Sequence, residues 1–131
     1  MPFPVRDMPT LIAVLSSGKG TWSEVNRIMQ SQSWSKIFLI TNQFGRENFT
    51  SLPTNAELIV VDFLRETQDI AEDIKKQLHS KVSDLEVALN IASGTGKEHM
   101  AVMEAVLELG LNFRLVTVRS GGQLEVLGLR R

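Results

Sequence analysis

Apolar positions along this chain follow two rhythms. In five short runs nearly every position is apolar: Thr10–Leu15 (TLIAVL), Lys36–Thr41 (KIFLIT), Glu57–Asp62 (ELIVVD), Leu85–Ile91 (LEVALNI) and Phe113–Arg119 (FRLVTVR). Runs of this length and β-branched content predict strands buried on both faces. Between them the spacing becomes helical. Trp22, Val25, Ile28 and Met29 form one stripe, and Ile70, Ile74 and Leu78 a second, opposite the charged Glu72, Asp73, Lys75 and Lys76. Met100, Met103, Val106 and Leu107 form a third, whose inward face they are expected to make.

Punctuation agrees with this alternation. Thr21, followed three residues later by Glu24, reads as a capping box opening the first helix. Gly110 is placed to end the third. Asn42–Asn55, with Gly45 and Pro53, reads as a polar loop. Ser120-Gly121-Gly122 is a turn into Gln123–Gly128 (QLEVLG), which predicts an antiparallel hairpin strand at the end. Strands alternating with helices imply right-handed βαβ crossovers. The expected fold is therefore α/β, a Rossmann-like parallel sheet with helices on both faces. The simplest doubly wound order sets the first and fourth strands side by side. Residues 10–131 are expected to form one domain, after a disordered lead-in over residues 1–9 that holds three prolines.

Composition narrows the function. At 131 residues, 43% apolar and 22% charged, the chain suits one core of ordinary globular type. It has no cysteine, which excludes a disulfide framework, thiolate ligands and a Cys nucleophile. No apolar run reaches the roughly 18 residues of a membrane span, and Met1–Pro9 is no signal peptide, so a cytoplasmic protein without membrane contact is expected. A net charge of −1 does not suggest general DNA or RNA binding. No grouping of His and carboxylates suggests a metal, and no cofactor is expected.

The chemistry concentrates in two loops that echo each other. The first strand is followed by Ser16-Ser17-Gly18-Lys19-Gly20-Thr21, the fourth by Ala92-Ser93-Gly94-Thr95-Gly96-Lys97. Each ends a strand and opens a helix. In an open parallel sheet, ligands bind beyond the carboxyl ends of the strands, where the strand order reverses. Glycines let backbone N–H groups approach an anion, helix N-termini add donors and partial positive charge, and Ser16, Ser17, Ser93, Thr95, Lys19 and Lys97 add hydroxyls and cations. Neither loop is a Walker A or a G-x-G-x-x-G motif, since Ile91 precedes Gly96 by five and Glu98 follows Lys97. Ordinary strand-to-helix turns use the same residues.

Other residues carry weaker signals. His99, in the first turn of the third helix, is either a pocket acid or base or a half-exposed helix residue. Asp62 stands where doubly wound folds place a ribose-binding acid. Trp22 and Trp34 read as core or interface anchors. Asn42, Gln43 and Arg46 read as a solvated loop at the carboxyl edge.

The segment from Leu89 to Met100, with the helix to Gly110 and the strand Phe113–Val118, resembles the CARF domain, the CRISPR-associated Rossmann fold. That family carries a Thr-Gly-Gly-x-Lys-like loop after its fourth strand. Here the loop is Ser93-Gly94-Thr95-Gly96-Lys97: one glycine is displaced and Ser replaces Thr, while Lys97 keeps its place. The loop Ser16–Thr21 stands where the family has its other ligand-contacting loop.

The resemblance implies a homodimer whose two crevices enclose a cyclic oligoadenylate, with cyclic tetra-adenylate the first choice, in type III CRISPR antiviral signalling. It assigns ligand contacts to Ser16, Ser17, Gly18, Lys19, Gly20, Thr21, Ser93, Gly94, Thr95, Gly96, Lys97 and His99. If the protein is a metal-independent ring nuclease, Lys97 and Ser16 or Ser17 are the catalytic candidates, cutting to 2′,3′-cyclic phosphate ends. Sensing without cleavage, a mononucleotide or phosphometabolite enzyme, and a non-catalytic dimerisation module stay open as alternatives.

Overall fold

A computed structural model of the chain describes residues 9–50 and 52–128. The expected lead-in lies outside the described residues except for Pro9, which is buried. The side chain of Lys19 lies outside them as well.

The alternation in sequence becomes an alternation in space. The strands are β1 (Thr10–Leu15), β2 (Lys36–Thr41), β3 (Ala56–Val60), β4 (Glu86–Asn90), β5 (Asn112–Val118) and β6 (Leu124–Val126). The helices are α1 (Trp22–Gln30), α2 (Gln43–Asn48), α3 (Thr67–Leu78) and α4 (Gly96–Glu108). The sheet order is β3-β2-β1-β4-β5-β6. The first five strands are parallel, and β6 pairs antiparallel with β5. The α/β class, the closing hairpin and the adjacency of β1 and β4 are as the sequence predicts.

All six residues of β1 are buried, because this central strand has apolar layers on both sides. Ile12 and Val14 face one layer, with Ile70, Ile74 and Leu78 of α3 and Val102 and Val106 of α4. Leu11, Ala13 and Leu15 face the other, with Trp22, Val25, Ile28 and Met29 of α1 and with Trp34. Period-two alternation thus feeds two cores from one strand. Both tryptophans are core residues, as expected.

Three details depart from the sequence expectation. Asn42–Asn55 is not wholly a loop, since it contains α2, capped by the Asn42 side chain accepting from Gly45 N–H at 3.1 Å. Six residues give no helical period to read, and Gly45 looks like a breaker. It is glycine because a Cβ there would overlap Thr41 Oγ1.

The Thr21–Glu24 capping box does not form. A single 3₁₀ turn over Lys19–Thr21 precedes α1, and Thr21 has φ −102° and ψ 1° rather than an extended backbone. Its hydroxyl turns back to donate to Gly18 C=O at 3.4 Å.

The face of α4 is rotated from the expected one. Met100 and Leu107 are 57% and 59% exposed, while Ala101, Val102, Ala105 and Val106 are buried. The small residues let α4 lie close to α3 and the sheet, and the larger ones turn outward. Val106 is inward as expected, and Met103 packs partly against the core. Gly110, at φ 76°, closes α4 with Gly110 N–H on Leu107 C=O at 3.0 Å and Leu111 N–H on Val106 C=O at 3.2 Å, the Schellman pattern.

Candidate functional site

The two echoing loops leave the sheet side by side because β1 and β4 are parallel neighbours, with Ala13 opposite Asn90. Their first residues bond directly. Ser93, fully buried, accepts from Ser16 N–H at 3.0 Å and donates its hydroxyl to Ser16 Oγ at 3.2 Å. Ser16 Oγ also accepts from Gly18 N–H at 3.3 Å. Three groups fix the base of this junction. Trp22 Nε1–H donates to Ser16 C=O at 2.7 Å, and Thr41 Oγ1 to Leu15 C=O at 2.6 Å. The buried Asn90 amide donates to Val116 C=O at 2.8 Å while its oxygen accepts from Ala92 N–H at 3.3 Å.

The second loop then turns at Gly94, where φ is 104°. Only glycine takes this conformation without strain. A Cβ there would also lie 3.0 Å from Val14 Cγ1 and 2.8 Å from Glu98 Oε1. Past the turn, Thr95 caps α4 from an extended backbone at φ −106° and ψ 171°. Its Oγ1 accepts from Glu98 N–H at 3.4 Å, and Glu98 Oε1 accepts from Thr95 N–H at 3.0 Å. The T-x-x-E signature thus stands at the start of two helices, at Thr21 and at Thr95, and only the second closes into a capping box. His99 Nε2 lies 2.8 Å from Ser93 C=O. A carbonyl only accepts, so Nε2 carries the proton there.

A cavity of about 430 Å³ opens above the junction, lined by Ser16, Ser17, Gly18, Gly20 and Thr21 from the first loop and by Ala92, Gly94, Thr95 and Glu98 from the second. A neighbouring cavity of about 510 Å³ lies toward β2 and β3, where Asn42, Phe44, Asp62, Leu64 and Asp73 contribute. Ser17 and Glu98 line both, so one crevice runs along the carboxyl edge of the sheet.

Of the residues singled out in the sequence, Ser16, Ser17, Gly18, Gly20, Thr21, Gly94 and Thr95 meet at the first cavity, with Ser93 buried beneath them. Lys97 is half-buried and lines neither cavity, and the same holds for His99 and, though exposed, for Gly96. Around Gly20 and Gly96 no atom lies within 4 Å of where a Cβ would stand, so no packing demand explains these glycines. Sequence reasoning missed two participants. Asn90 looked like one more strand residue, and Glu98 like the first acidic residue of a helix. The available signal was the T-x-x-E spacing at Thr95.

Among the described side chains, the charged groups that line the crevice are acidic. Its lining carboxylates are Glu98 in both cavities and Asp62 and Asp73 in the larger one. Asp62 accepts from Leu64 N–H at 3.0 Å, and Asp73 lies 3.9 Å from Arg65. Among the described residues no three His, Cys, Asp or Glu are grouped so as to hold a metal ion. No helix among them is long and apolar enough to cross a membrane. Neither a family model nor a curated protein matches the chain.

Proposed function

We propose that the crevice binds a cyclic oligoadenylate, with cyclic tetra-adenylate the first candidate, between two copies of the chain, as CARF-type proteins do in type III CRISPR signalling. One observation carries this reading. The Ser16–Ser93 junction merges two Gly/Ser loops into a single crevice where the strand order reverses, the position at which open α/β sheets bind ligands. The open space at Gly20, on the cavity wall, supports it, since a backbone free of side chains admits a ligand closely.

Exposed apolar groups around the crevice support closure by a second copy. Phe44 and Leu64, on the larger cavity, are 38% and 92% exposed, and Met100 stands in the second turn of α4. A two-fold pairing presents the same patch twice and suits a ring of even order.

Turnover, in this reading, is in-line. A ribose 2′-oxygen bonds to the adjacent phosphorus as the P–O5′ bond breaks. The 2′-hydroxyl proton ends on the departing 5′-oxygen, and a 2′,3′-cyclic phosphate remains. The protein's work is positioning and charge stabilisation. Ser16 and Ser17 offer hydroxyls in the crevice, and Lys97, in the first turn of α4, is the cation this reading assigns to the phosphate.

The test is incubation of the protein with cyclic tetra-adenylate in EDTA, followed by chromatography and a melting curve. Linear products lost in Lys97→Ala mark a ring nuclease. An intact ring with a raised melting temperature marks a sensor. An unchanged curve removes this ligand, and a rise with mononucleotides alone favours the nucleotide-enzyme alternative.

A further inference from the structure

Glu98 is the acidic side chain common to both cavities, and its place is unusual for a site built from phosphate-binding loops. Its Oε1 sits 3.0 Å from Thr95 N–H, the position an anion resting on this end of α4 would occupy. Other loop donors are also engaged: Ser16 N–H on Ser93, Gly18 N–H on Ser16 and Ala92 N–H on Asn90. With Thr95 N–H, four loop donors are thus held within the loops themselves, next to a negative charge.

We infer that Glu98 is a specificity determinant which makes the crevice accept phosphodiester monoanions and reject terminal phosphates. The inference rests on the proposed nucleotide-binding role of this crevice. Its physical basis is charge. A phosphomonoester carries about −1.5 to −2 at pH 7, and a diester carries a single charge. Both are repelled by Glu98, the monoester by up to twice as much, and the difference grows as the site excludes water. A ring of diesters has no terminal phosphate, so it escapes the larger penalty.

Glu98→Gln separates charge from structure. Glutamine at this position keeps the capping box, since its amide oxygen accepts the same N–H. Wild type and Glu98→Gln are titrated with adenosine 5′-monophosphate and with cyclic tetra-adenylate at one fixed ionic strength, with melting curves of both apo proteins. The expected result is a gain of about tenfold in monophosphate affinity in the variant, the scale of a charge of nearly −2 relieved of a unit charge at close range, with a gain of only about threefold per crevice for the singly charged diesters of the ring. Equal gains for both ligands, or no gain for the monophosphate in a variant that melts like wild type, overturn the inference. If the variant melts lower, Glu98→Asp supplies the second reading. It keeps the charge, so its preference for the ring must match wild type, and a shift toward the monophosphate overturns the inference. A monophosphate gain with the ring unbound by either protein sustains the role of Glu98 and overturns the cyclic-oligonucleotide reading, so the two failures are distinct.

Discussion

Ser93 holds Ser16 across 77 positions of sequence, its buried hydroxyl taking Ser16 N–H at 3.0 Å and giving its proton to Ser16 Oγ at 3.2 Å. The contact follows from the parallel register, since Ser16 and Ser93 each stand three residues beyond the opposed pair Ala13 and Asn90, and it joins the two loops at their roots. Ser93→Ala leaves the Ser16 N–H without its partner at a half-buried junction. A loss of about 0.5–1.5 kcal/mol is expected, the net worth of one such hydrogen bond. Urea denaturation measures it, with an unchanged m-value if only the native junction is affected.

Gly94 and Gly96 should respond in opposite ways. Gly94→Ala forces a side chain into φ 104° and against Val14, so a loss of roughly 1–3 kcal/mol is expected. Gly96→Ala places alanine at the first position of α4 with open space around it, and a gain of up to about 1 kcal/mol is expected. If the ligand approaches that backbone, Gly96→Ala is a protein that melts higher and binds worse. Melting curves with and without cyclic tetra-adenylate read both effects together.

The repeated T-x-x-E signature gives a matched pair. Thr95→Ala removes a working cap and should cost about 1 kcal/mol. Thr21→Ala removes only a long, exposed bond to Gly18 C=O and should cost a few tenths at most, in the range of ordinary surface substitutions. Equal losses at the two positions would mean that the α1 start adopts a capped form in solution.

Lys97→Ala is expected to leave stability within about 0.5 kcal/mol of wild type, as for other surface changes without a structural partner. Any loss of ligand-induced stabilisation in that variant is then a loss of binding. A ligand present at about 100 times its dissociation constant stabilises the wild type by roughly 2.7 kcal/mol, a shift of several degrees for a domain of this size.

Much of this architecture is readable in the residues. TLIAVL and KIFLIT read as buried strands by their length and β-branched content, and the order strand, loop, helix leads to parallel pairing and to loops meeting at one edge. What stays hidden depends on tertiary contact. Met100 and Ala101 are both acceptable inward residues at helical spacing, and the close approach of α3 to α4 decides for alanine. Thr21 and Thr95 carry the same signature, and the 3₁₀ turn before α1 decides against the first. The acidity of the crevice was equally hidden, because Asp62, Asp73 and Glu98 come from three separate segments and meet only in the folded chain.

The placement of β4 beside β1 also sets when the crevice exists during synthesis. The first wall is complete once Thr21 has left the ribosome, yet the second begins at Ala92, after three crossovers and three strands. A nascent chain stopped short of Ser93 has half a crevice and no junction. Occupancy of the crevice therefore reports that the long-range pairing has been made. Any ligand held there acts as a clamp on the pairing of β1 with β4, which spans more sequence, and so costs more chain entropy to close, than the other strand pairs of the sheet.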